Sequence, residues 1–382
     1  MTILNSKRCL VVLLCALLAV ISGCKQKVEG PEREYAYVTN GGSDNVSVID
    51  LNELRLVGNL ATGKNPSGIS ANPEKDEVYA VNTDSGTVTV IDAAQNRVAS
   101  NISVGLRPYS IAVSSNGKRG YVANSGSDSV SVLDLERHVR LGDISVGHQP
   151  GVARVSNDGK TVVSSNRGSD SVSIIDVPSG KVRATVGVCH QPEDLAILPD
   201  DSKVFVSCSG DNHVASVDLK SGKALALLTV GATPVQVAMK PDGGEIFVPN
   251  FKADTLSAVN TSANEIEESF VAGDNPDHVL VNGSNTLIFV SNFGSNSVTV
   301  FDLTTRKFVV AVPTGKGPDA LALNSMESML LVADSGSGDV AVIRLDKRVN
   351  KKSQGLPTPR LFTMIPTGER PNAIVIKAPK AR

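Results

Sequence analysis

The sequence predicts an all-β fold made of eight copies of one short unit, and three observations lead to this prediction. The stretch YVTNGGSDNVSVID at residues 37–50 returns along the chain at a fixed spacing. Glycine is frequent and aromatic residues are only 4% of the chain, as expected of short strands joined by tight turns. Asn40 has a counterpart every 42 residues, and these counterparts are Asn82, Asn124, Asn166, Cys208, Asn250, Asn292 and Asp334. A constant period of about 40 residues is typical of repeat architectures, in which each unit buries apolar surface against its neighbours.

One unit, residues 108–147, shows why each copy predicts four antiparallel strands. Ile111 and Val113 alternate with small residues and predict a half-buried inner strand, called strand A here. The sequence GYVA at 120–123 predicts strand B, VSVL at 130–133 predicts strand C, and residues 138–146 predict the outer strand D. Turn sequences rich in Ser, Asn, Asp and Gly separate them. Four strands per repeat of about 40 residues predict the blade of a β-propeller.

The two ends of the chain predict how the ring of blades closes. The first copy begins at Tyr35 with strand B and has no strand A of its own. At the other end, residues 371–376, PNAIVI, form a strand A with no blade after it. We therefore expect this strand to join the first blade, because an open sheet edge invites aggregation. Residues 35–382 are expected to form a single eight-bladed propeller.

The first 23 residues predict an export signal that lies outside the fold. Lys7 and Arg8 precede an apolar run at residues 9–20, which is the layout of a secretory signal peptide. The run is shorter than the roughly 20 residues that span a membrane. Removing residues 1–23 deletes two positive charges and changes the formal net charge from −2 to −4. Without a concentrated basic face, binding to nucleic acid is not expected.

The sequence ISGC at residues 21–24 resembles the lipobox of bacterial lipoproteins. That resemblance implies cleavage before Cys24, a diacylglycerol group on the Cys24 thiol, and residues 24–34 as the lipidated cysteine and a short tether. With Lys25 following, it implies a place in the cell envelope, at the outer membrane if the cell is Gram-negative. The alternative is a plain signal peptide followed by a chance cysteine.

The repeat itself resembles a known family. YVTN at residues 37–40, followed by VSVID at 46–50, resembles the YVTN family of β-propeller repeats, and the resemblance covers residues 35–377. The family is similar to archaeal surface-layer proteins, to many exported bacterial proteins and, more distantly, to the eight-bladed haem d1 propellers of nitrite reductases. This chain departs from the last group because it has no Cys-x-x-Cys-His haem attachment sequence. The resemblance therefore implies a fold and a compartment but no particular ligand.

Positions that recur in every unit are expected to be structural. The recurring asparagine, Asn40 and its counterparts, is expected to bond turn backbone amides, because Asn and Asp side chains mimic turns. A recurring aspartate before strand D, such as Asp50 or Asp134, is expected to do the same. Function is therefore sought where a recurring slot carries different chemistry.

Such exceptions concentrate in the fourth and fifth units, with related ones in the same slots of later units. The candidate ligand- or partner-binding residues are His148, Arg154, Arg167, His190, Glu193, Asp194, Asp277, His278 and Asp319. The D–A loops and B–C turns of a propeller open on one face, called the top here. We therefore expect these side chains around an acidic mouth on the top face, with Arg154 reaching the channel from its strand. A contact made there is expected to be polar and to depend on pH, because histidine titrates near neutrality.

Each of these candidates has an alternative interpretation. Surface histidines are often simply solvated, and Arg154 can bond Glu193 or Asp194, because a buried arginine needs a partner. Cys189 and Cys208 can form a disulfide in an oxidising compartment. A less favoured alternative is a metal site built from His148, His190, Cys208 and Glu193. We expect no bound metal and no cofactor.

The last unit carries a basic insertion at residues 345–357, between strands C and D. It is expected on the face opposite the histidines, either as a solvated loop or as a contact for anionic lipid or a partner. The chain has no Gly-x-Ser-x-Gly elbow, P-loop or His-Glu-x-x-His motif.

The sequence hypothesis that follows is a lipid-anchored, non-catalytic binding or scaffolding propeller. It is expected to be a monomer that meets an envelope protein or a small ligand at its top face. The alternative is an enzyme using the central mouth, either a cofactor-dependent oxidoreductase or a lactonase-like hydrolase.

Overall fold

Alternating apolar residues and regularly spaced turns form strands throughout the chain. The computed structural model describes residues 33–345 and 358–380. Within these ranges 32 strands form eight four-stranded antiparallel sheets arranged in a ring. A single 3-10 turn, Arg167–Ser169, interrupts them. The predicted all-β, eight-bladed propeller is confirmed.

The blades are numbered in chain order, and the strands of each run from the channel outward as A, B, C and D. Blade 1 takes its strand A from the C-terminus, and its other strands are β1 (Tyr35–Asn40), β2 (Asn45–Asp50) and β3 (Arg55–Ala61). Blade 2 contains β4 (Pro66–Ala71), β5 (Glu77–Asn82), β6 (Thr87–Asp92) and β7 (Arg97–Ser103). Blade 3 contains β8 (Pro108–Val113), β9 (Arg119–Asn124), β10 (Ser129–Asp134) and β11 (Val139–Ser145). Blade 4 contains β12 (Pro150–Val155), β13 (Thr161–Asn166), β14 (Ser171–Asp176) and β15 (Lys181–Gly187).

The second half of the ring repeats this order. Blade 5 contains β16 (Pro192–Ile197), β17 (Lys203–Cys208), β18 (His213–Asp218) and β19 (Lys223–Thr229). Blade 6 contains β20 (Ala238–Met239), β21 (Glu245–Asn250), β22 (Thr255–Asn260) and β23 (Glu265–Val271). Blade 7 contains β24 (Pro276–Val281), β25 (Leu287–Asn292), β26 (Ser297–Asp302) and β27 (Lys307–Pro313). Blade 8 contains β28 (Pro318–Leu323), β29 (Met329–Asp334), β30 (Asp339–Arg344) and β31 (Arg360–Pro366).

The last strand closes the ring as predicted. β32 (Pro371–Lys377) pairs antiparallel with β1, with Ile374 opposite Val38 and Ile376 opposite Ala36. Blade 1 therefore combines the first and last strands of the propeller, and no sheet edge is left open at the junction. Further out, Lys377 donates a hydrogen bond from its Nζ to the Asn72 carbonyl of blade 2, 2.7 Å away.

The hydrophobic core is divided among the interfaces between blades. Eight separate clusters of buried apolar side chains each join two neighbouring blades, including one between blades 8 and 1. Strands B and C are buried on both faces because each sheet packs between two others, as Tyr79 and Phe289 show. Every blade thus depends on its neighbours for burial, as the repeat period predicts.

The recurring asparagine has partners beyond those expected from the sequence. Its Oδ1 accepts a loop backbone N–H in blades 3 and 7, where Asn124 bonds Gly105 at 3.2 Å and Asn292 bonds Gly273 at 2.9 Å. In addition, its Nδ2 donates to two side chains on strand C of the same blade. In blade 3, Asn124 donates to Ser129 Oγ at 3.2 Å and to Ser131 Oγ at 2.9 Å. Blades 1, 2, 4, 6 and 7 have the same arrangement. We call this arrangement the strand-C knot.

The recurring aspartate has the predicted role. In blade 1, Asp50 Oδ1 accepts hydrogen bonds from the backbone N–H groups of Asn52 and Glu53, at 2.8 and 3.0 Å. Asp134 and Asp302 accept the equivalent pairs of bonds in blades 3 and 7. These bonds hold the turn between strands C and D.

The folded region begins one residue before the predicted boundary at Tyr35. Glu34, which the sequence assigns to the tether, is buried and its carboxylate accepts hydrogen bonds from Ser325 in blade 8. The predicted signal peptide, Cys24 and most of the tether lie outside the described residues, as do residues 346–357 of the basic insertion. In the described ranges, none of the helical structure is long and apolar enough to cross a membrane.

Candidate functional site

An irregular start to the inner strands aims side chains into the central channel. In seven blades the pairing of strand A with strand B shifts register just after the proline, as between Pro276 and Val279. Such bulges redirect side chains, so consecutive residues such as Asp277 and His278 both face the channel. Residues from all eight blades line the resulting cavity of about 630 Å³, called the channel cavity here.

A second cavity of about 980 Å³ lies on the top face beside blades 2 to 5. Its lining includes His148, Arg167 and Arg107, and we call it the rim cavity. Tyr109 and Glu193 line both cavities, so the two adjoin at these residues. His190 lines neither. Of the predicted candidates, Arg154, Glu193, Asp194, Asp277, His278 and Asp319 line the channel cavity.

Arg154 reaches the channel and is paired there. Its Nη2 lies 3.0 Å from Asp194 Oδ1, while Asp194 Oδ2 accepts a hydrogen bond from the backbone N–H of Val237 at 3.2 Å. Asp194 therefore connects blades 4, 5 and 6 across the channel wall. The open inner edge of each strand A explains this role, because its N–H groups need acceptors that no further strand supplies.

Arg167 and Glu193 form a second ion pair, higher on the top face. Arg167 Nη1 lies 3.4 Å from Glu193 Oε1, and Ser209 Oγ donates to Glu193 Oε2 at 2.9 Å. Arg167 is half exposed on the 3-10 turn that follows Asn166. The pair joins blades 4 and 5 at the entrance to the channel, where a ligand can exchange contacts with either member.

Asp277, His278 and Asp319 converge on the other side of the channel, and we call them the channel trio. His278 Nδ1 lies 3.0 Å from Asp277 Oδ2 and 3.7 Å from Asp319 Oδ1. Burial opposes the charged form of His278, but the carboxylates of Asp277 and Asp319 outweigh it and raise its pKa to about 9. Burial also raises the pKa of Asp319 to about 7; His278 opposes this rise and Asp277 adds to it. The trio is therefore a compact group of three ionisable side chains from two blades.

The two loop histidines each contact an aspartate that also holds the backbone of the same loop. His148 Nδ1 lies 2.7 Å from Asp128 Oδ2, and His190 Nδ1 lies 3.0 Å from Asp170 Oδ1. Each aspartate also accepts the backbone N–H of the residue after the histidine, which is Gln149 or Gln191. These backbone bonds, followed by the bonds to the histidines, lower the pKa values of Asp128 and Asp170. Both imidazoles are exposed on the top face.

Cys189 and Cys208 form a disulfide, and their Cα atoms lie 5.8 Å apart. Both residues are buried beneath the loop that carries His190. Because Cys208 is bonded to Cys189, it has no free thiolate that could bind a metal. The alternative of a metal site built from His148, His190, Cys208 and Glu193 is therefore wrong. Among the described residues two groups gather three metal-ligating side chains: the channel trio, and the disulfide cysteines with Asp211.

Sequence reasoning missed two residues of this site. Tyr109 stands at the junction of the two cavities and is 51% exposed. Its slot, directly after the strand-A proline, holds small, aliphatic or acidic residues in most other blades, so an aromatic side chain there was a usable signal. Ser291 is fully buried beneath the trio and had no such signal, because serine is common at this point of strand B.

With the fold and site described, comparison with known families places the chain. The family model described as "YNCE-like beta-propeller" matches residues 111–359, which is well over half of the sequence. The chain belongs to the YNCE-like beta-propeller family. A second model, "Lactonase, 7-bladed beta-propeller", matches residues 35–152, which contain β1 to β11 and the start of β12. No curated protein matches the chain significantly.

Solved structures similar to this family member include proteins of differing description. Hydrazine synthase of Kuenenia stuttgartiensis is 22% identical with a TM-score of 0.61, over 75% of this chain and 96% of that one. The dihydro-heme d1 dehydrogenase NirN in complex with DHE is 15% identical with a TM-score of 0.72, over 89% and 74%. A functionally unknown protein of Desulfotomaculum acetoxidans is 13% identical with a TM-score of 0.61, over 91% and 99%. At these identities the likeness shows the shared propeller fold alone.

Proposed function

We propose that this protein is a lipid-anchored binding protein of the cell envelope that recognises a polar ligand or protein partner at the top of its propeller. The observation that carries the proposal is that the rim and channel cavities adjoin at Tyr109 and Glu193. Charged side chains from blades 4, 5, 7 and 8 line these two cavities on a rigid scaffold. Loops and strand ends on a rigid scaffold are the usual place for recognition residues.

The partners of the ionisable groups favour binding over catalysis. Arg154 and Arg167 are each paired with a carboxylate of blade 5. In the described part of the cavities, the rings of His148 and His278 bond to carboxylates, and neither ring bonds a hydroxyl or a thiol. A nucleophile and its base normally lie within hydrogen-bond reach of each other.

A hydrolase is the second candidate, and two observations favour it. The lactonase family model matches residues 35–152, from β1 to the start of β12. His278, oriented by Asp277, also faces an open cavity, which is the arrangement of a general base with its orienting carboxylate. If the purified protein hydrolyses a lactone catalytically and the variant His278→Gln does not, the hydrolase would replace the binding proposal.

The binding proposal predicts that crosslinking in intact cells is confined to one sector of the top face. A photo-crosslinking residue at position 148 or 190 should capture a partner, whereas one at 64 or 316 should not. All four positions are exposed and occupy the same slot of the D–A loop, so accessibility is matched. Crosslinking of equal strength from all four positions would remove the sector from the proposal.

The anchor is supported by the lipobox-like ISGC sequence at residues 21–24. The variant Cys24→Ala should release the protein from the membrane fraction, because a diacyl chain holds a protein far more firmly than a polar surface does. Fractionation followed by immunoblotting measures the effect, and a variant that stays with the membranes would contradict it. We also infer that the repeat is of the YVTN type, which the sequences YVTN at 37–40 and YVAN at 121–124 support.

A further inference from the structure

The channel trio has the composition and spacing of a metal site. One ligand atom from each of Asp277, His278 and Asp319 lies within 4.8 Å of the other two. Metal–ligand bonds of about 2.1 Å at angles of 90–110° separate neighbouring ligand atoms by about 3.0–3.5 Å. The imidazole nitrogen lies 3.0 and 3.7 Å from the two carboxylate oxygens, so these two separations are already close to that range.

The backbone around the trio is held by one buried side chain. Ser291, on β25 of blade 7, accepts a hydrogen bond from the His278 N–H at 3.0 Å and donates one to the Asp319 carbonyl at 3.1 Å. It therefore couples the inner strands of blades 7 and 8. Because strands hold the site in this way, its side chains are already in place, and a metal can bind without a large rearrangement of its ligands.

His278 does not serve the structural role that its slot has in three other blades. Ser110, Asp194 and Gln236 occupy the slot of His278, and each accepts the N–H of an inner strand in the next blade. Across the described residues of blades 7 and 8, no such bond joins His278 to β28. Its ring instead turns between two carboxylates and borders the open cavity. The side chain of His278 is therefore not used to bond the next inner strand, and it is available for a ligand.

The donor set indicates which cations would bind. Two carboxylates and a neutral imidazole carry a charge of −2, which a divalent cation neutralises. Imidazole suits Zn²⁺ and its transition-metal neighbours, whereas Mg²⁺ prefers sites made of oxygen alone. Three protein ligands facing a cavity also leave coordination positions open, as in catalytic metal sites.

We propose that Asp277, His278 and Asp319 bind one divalent transition-metal ion, such as Zn²⁺, at the wall of the central channel. The ion displaces the proton of His278 to solvent as it binds. Its open positions face the channel cavity, where they are accessible to water or a small anionic ligand. The proposal goes beyond binding at the top face and does not depend on it.

The test is a titration of the full-length protein after removal of metal by chelation. Isothermal calorimetry with Zn²⁺ should show one site per chain, and Mg²⁺ should bind at least about tenfold more weakly. The variants His278→Gln and Asp319→Asn should each weaken the Zn²⁺ site at least about tenfold, because loss of even an indirect partner of a metal ligand costs 10- to 100-fold. Circular dichroism and thermal unfolding of the variants confirm that they are folded.

Two matched controls separate the trio from other histidines and acids. Glu193→Gln changes the same slot in blade 5 as Asp277, and His148→Gln with His190→Gln removes the exposed imidazoles. Both controls should leave the Zn²⁺ affinity within about twofold of the wild type. If Zn²⁺ does not bind at one ion per chain, the proposal is wrong. It is also wrong if the control variants lose Zn²⁺ binding while the folded trio variants keep it. Because the readout is metal affinity, its failure leaves the crosslinking test of the top face unaffected.

Discussion

Blades 3 and 5 fill the same pair of neighbouring positions on the top face in two different ways. In blade 3, Gly105 lies against Asn124 so closely that an added Cβ would come within 2.6 Å of the Asn124 side chain. In blade 5 the same two slots hold Cys189 and Cys208, which are joined by a disulfide. The glycine and the asparagine are therefore replaced together, because a side chain in the first slot leaves no room for the amide in the second.

The difference extends to a third slot. In blade 3 the amide of Asn124 donates to Ser131, whereas in blade 5 the matching residue is Ala215, which offers no acceptor. Blade 8 shows the same loss, since it has Asp334 in place of the asparagine and Ala341 in place of the hydroxyl. The residues of the strand-C knot are thus replaced together. A blade that lacks the asparagine amide also lacks the hydroxyl in the Ser131 slot that would accept from it. This comparison leads to two predictions about stability.

The larger effect is expected from breaking the disulfide of blade 5. Cys208→Ser removes a bond that closes a loop of 19 residues, worth about 3 kcal/mol in the chain-entropy account. Denaturant unfolding should show a loss of that order in the free energy of unfolding. Under reducing conditions the wild type should fall to the level of the variant, because it then lacks the same bond.

A triple variant provides the matched control for this change. Cys189→Gly, Cys208→Asn and Ala215→Ser together restore in blade 5 the glycine, the asparagine and the acceptor of the Ser131 slot, while His213 keeps the slot of Ser129. We expect the triple variant to be more stable than Cys208→Ser and insensitive to reductant. If it is no more stable than Cys189→Gly with Cys208→Asn alone, the third slot is not part of the set.

The smaller effect is expected in blade 8, where Asp334 is buried beside Asp339. Burial raises the pKa of Asp334 to about 8, Asp339 adds to the rise, and the Gly315 N–H opposes it. An unfolded aspartate has a pKa of about 4, so the folded chain binds the extra proton between about pH 4 and pH 8. Stability of the wild type therefore falls as pH rises through that window.

Asp334→Asn should remove this dependence, because an amide carries no charge and can donate to Asp339. We expect a gain of about 1–2 kcal/mol in unfolding free energy above pH 8 and little gain near pH 4. Thermal or denaturant unfolding at several pH values measures both limits. A gain that is the same at pH 4 and pH 8 would show that the charge on Asp334 is not its source.

Much of the fold followed from patterns along the chain. The constant 42-residue step from Asn40 to Asp334 predicted eight blades, and the unaccompanied strand at residues 371–376 predicted the closure with β1. Both predictions rest on features that are local or strictly periodic, which is the information a single sequence carries best. The Arg154 pairing was also among the alternatives, because a basic residue in a narrow channel needs a nearby acid.

Less of the candidate site was predictable, for physical reasons that particular residues show. The recurring asparagine was assigned to turn amides, and Asn124 does accept the Gly105 N–H, but its own amide also donates to Ser129 and Ser131 on strand C. Strand pairing places Ser129 opposite Asn124 and Ser131 two positions further along strand C. Asp277, His278 and Asp319 were recognised as exceptions without any sign that they meet. Their convergence depends on the bulge after Pro276 and on Ser291, and neither feature is visible in the repeat pattern.

The sequence by itself determined the number of blades, the strand order within each blade and the closure of the ring, because periodicity and alternation are read along one dimension. The tertiary structure alone decided which charged side chains meet, where the two cavities adjoin, and how blades 5 and 8 replace the strand-C knot. Those outcomes depend on distances of a few ångströms between residues that are 5 to 43 positions apart in the chain. Such distances are set by the bulges and the packing of neighbouring blades, and no single segment of the chain encodes them.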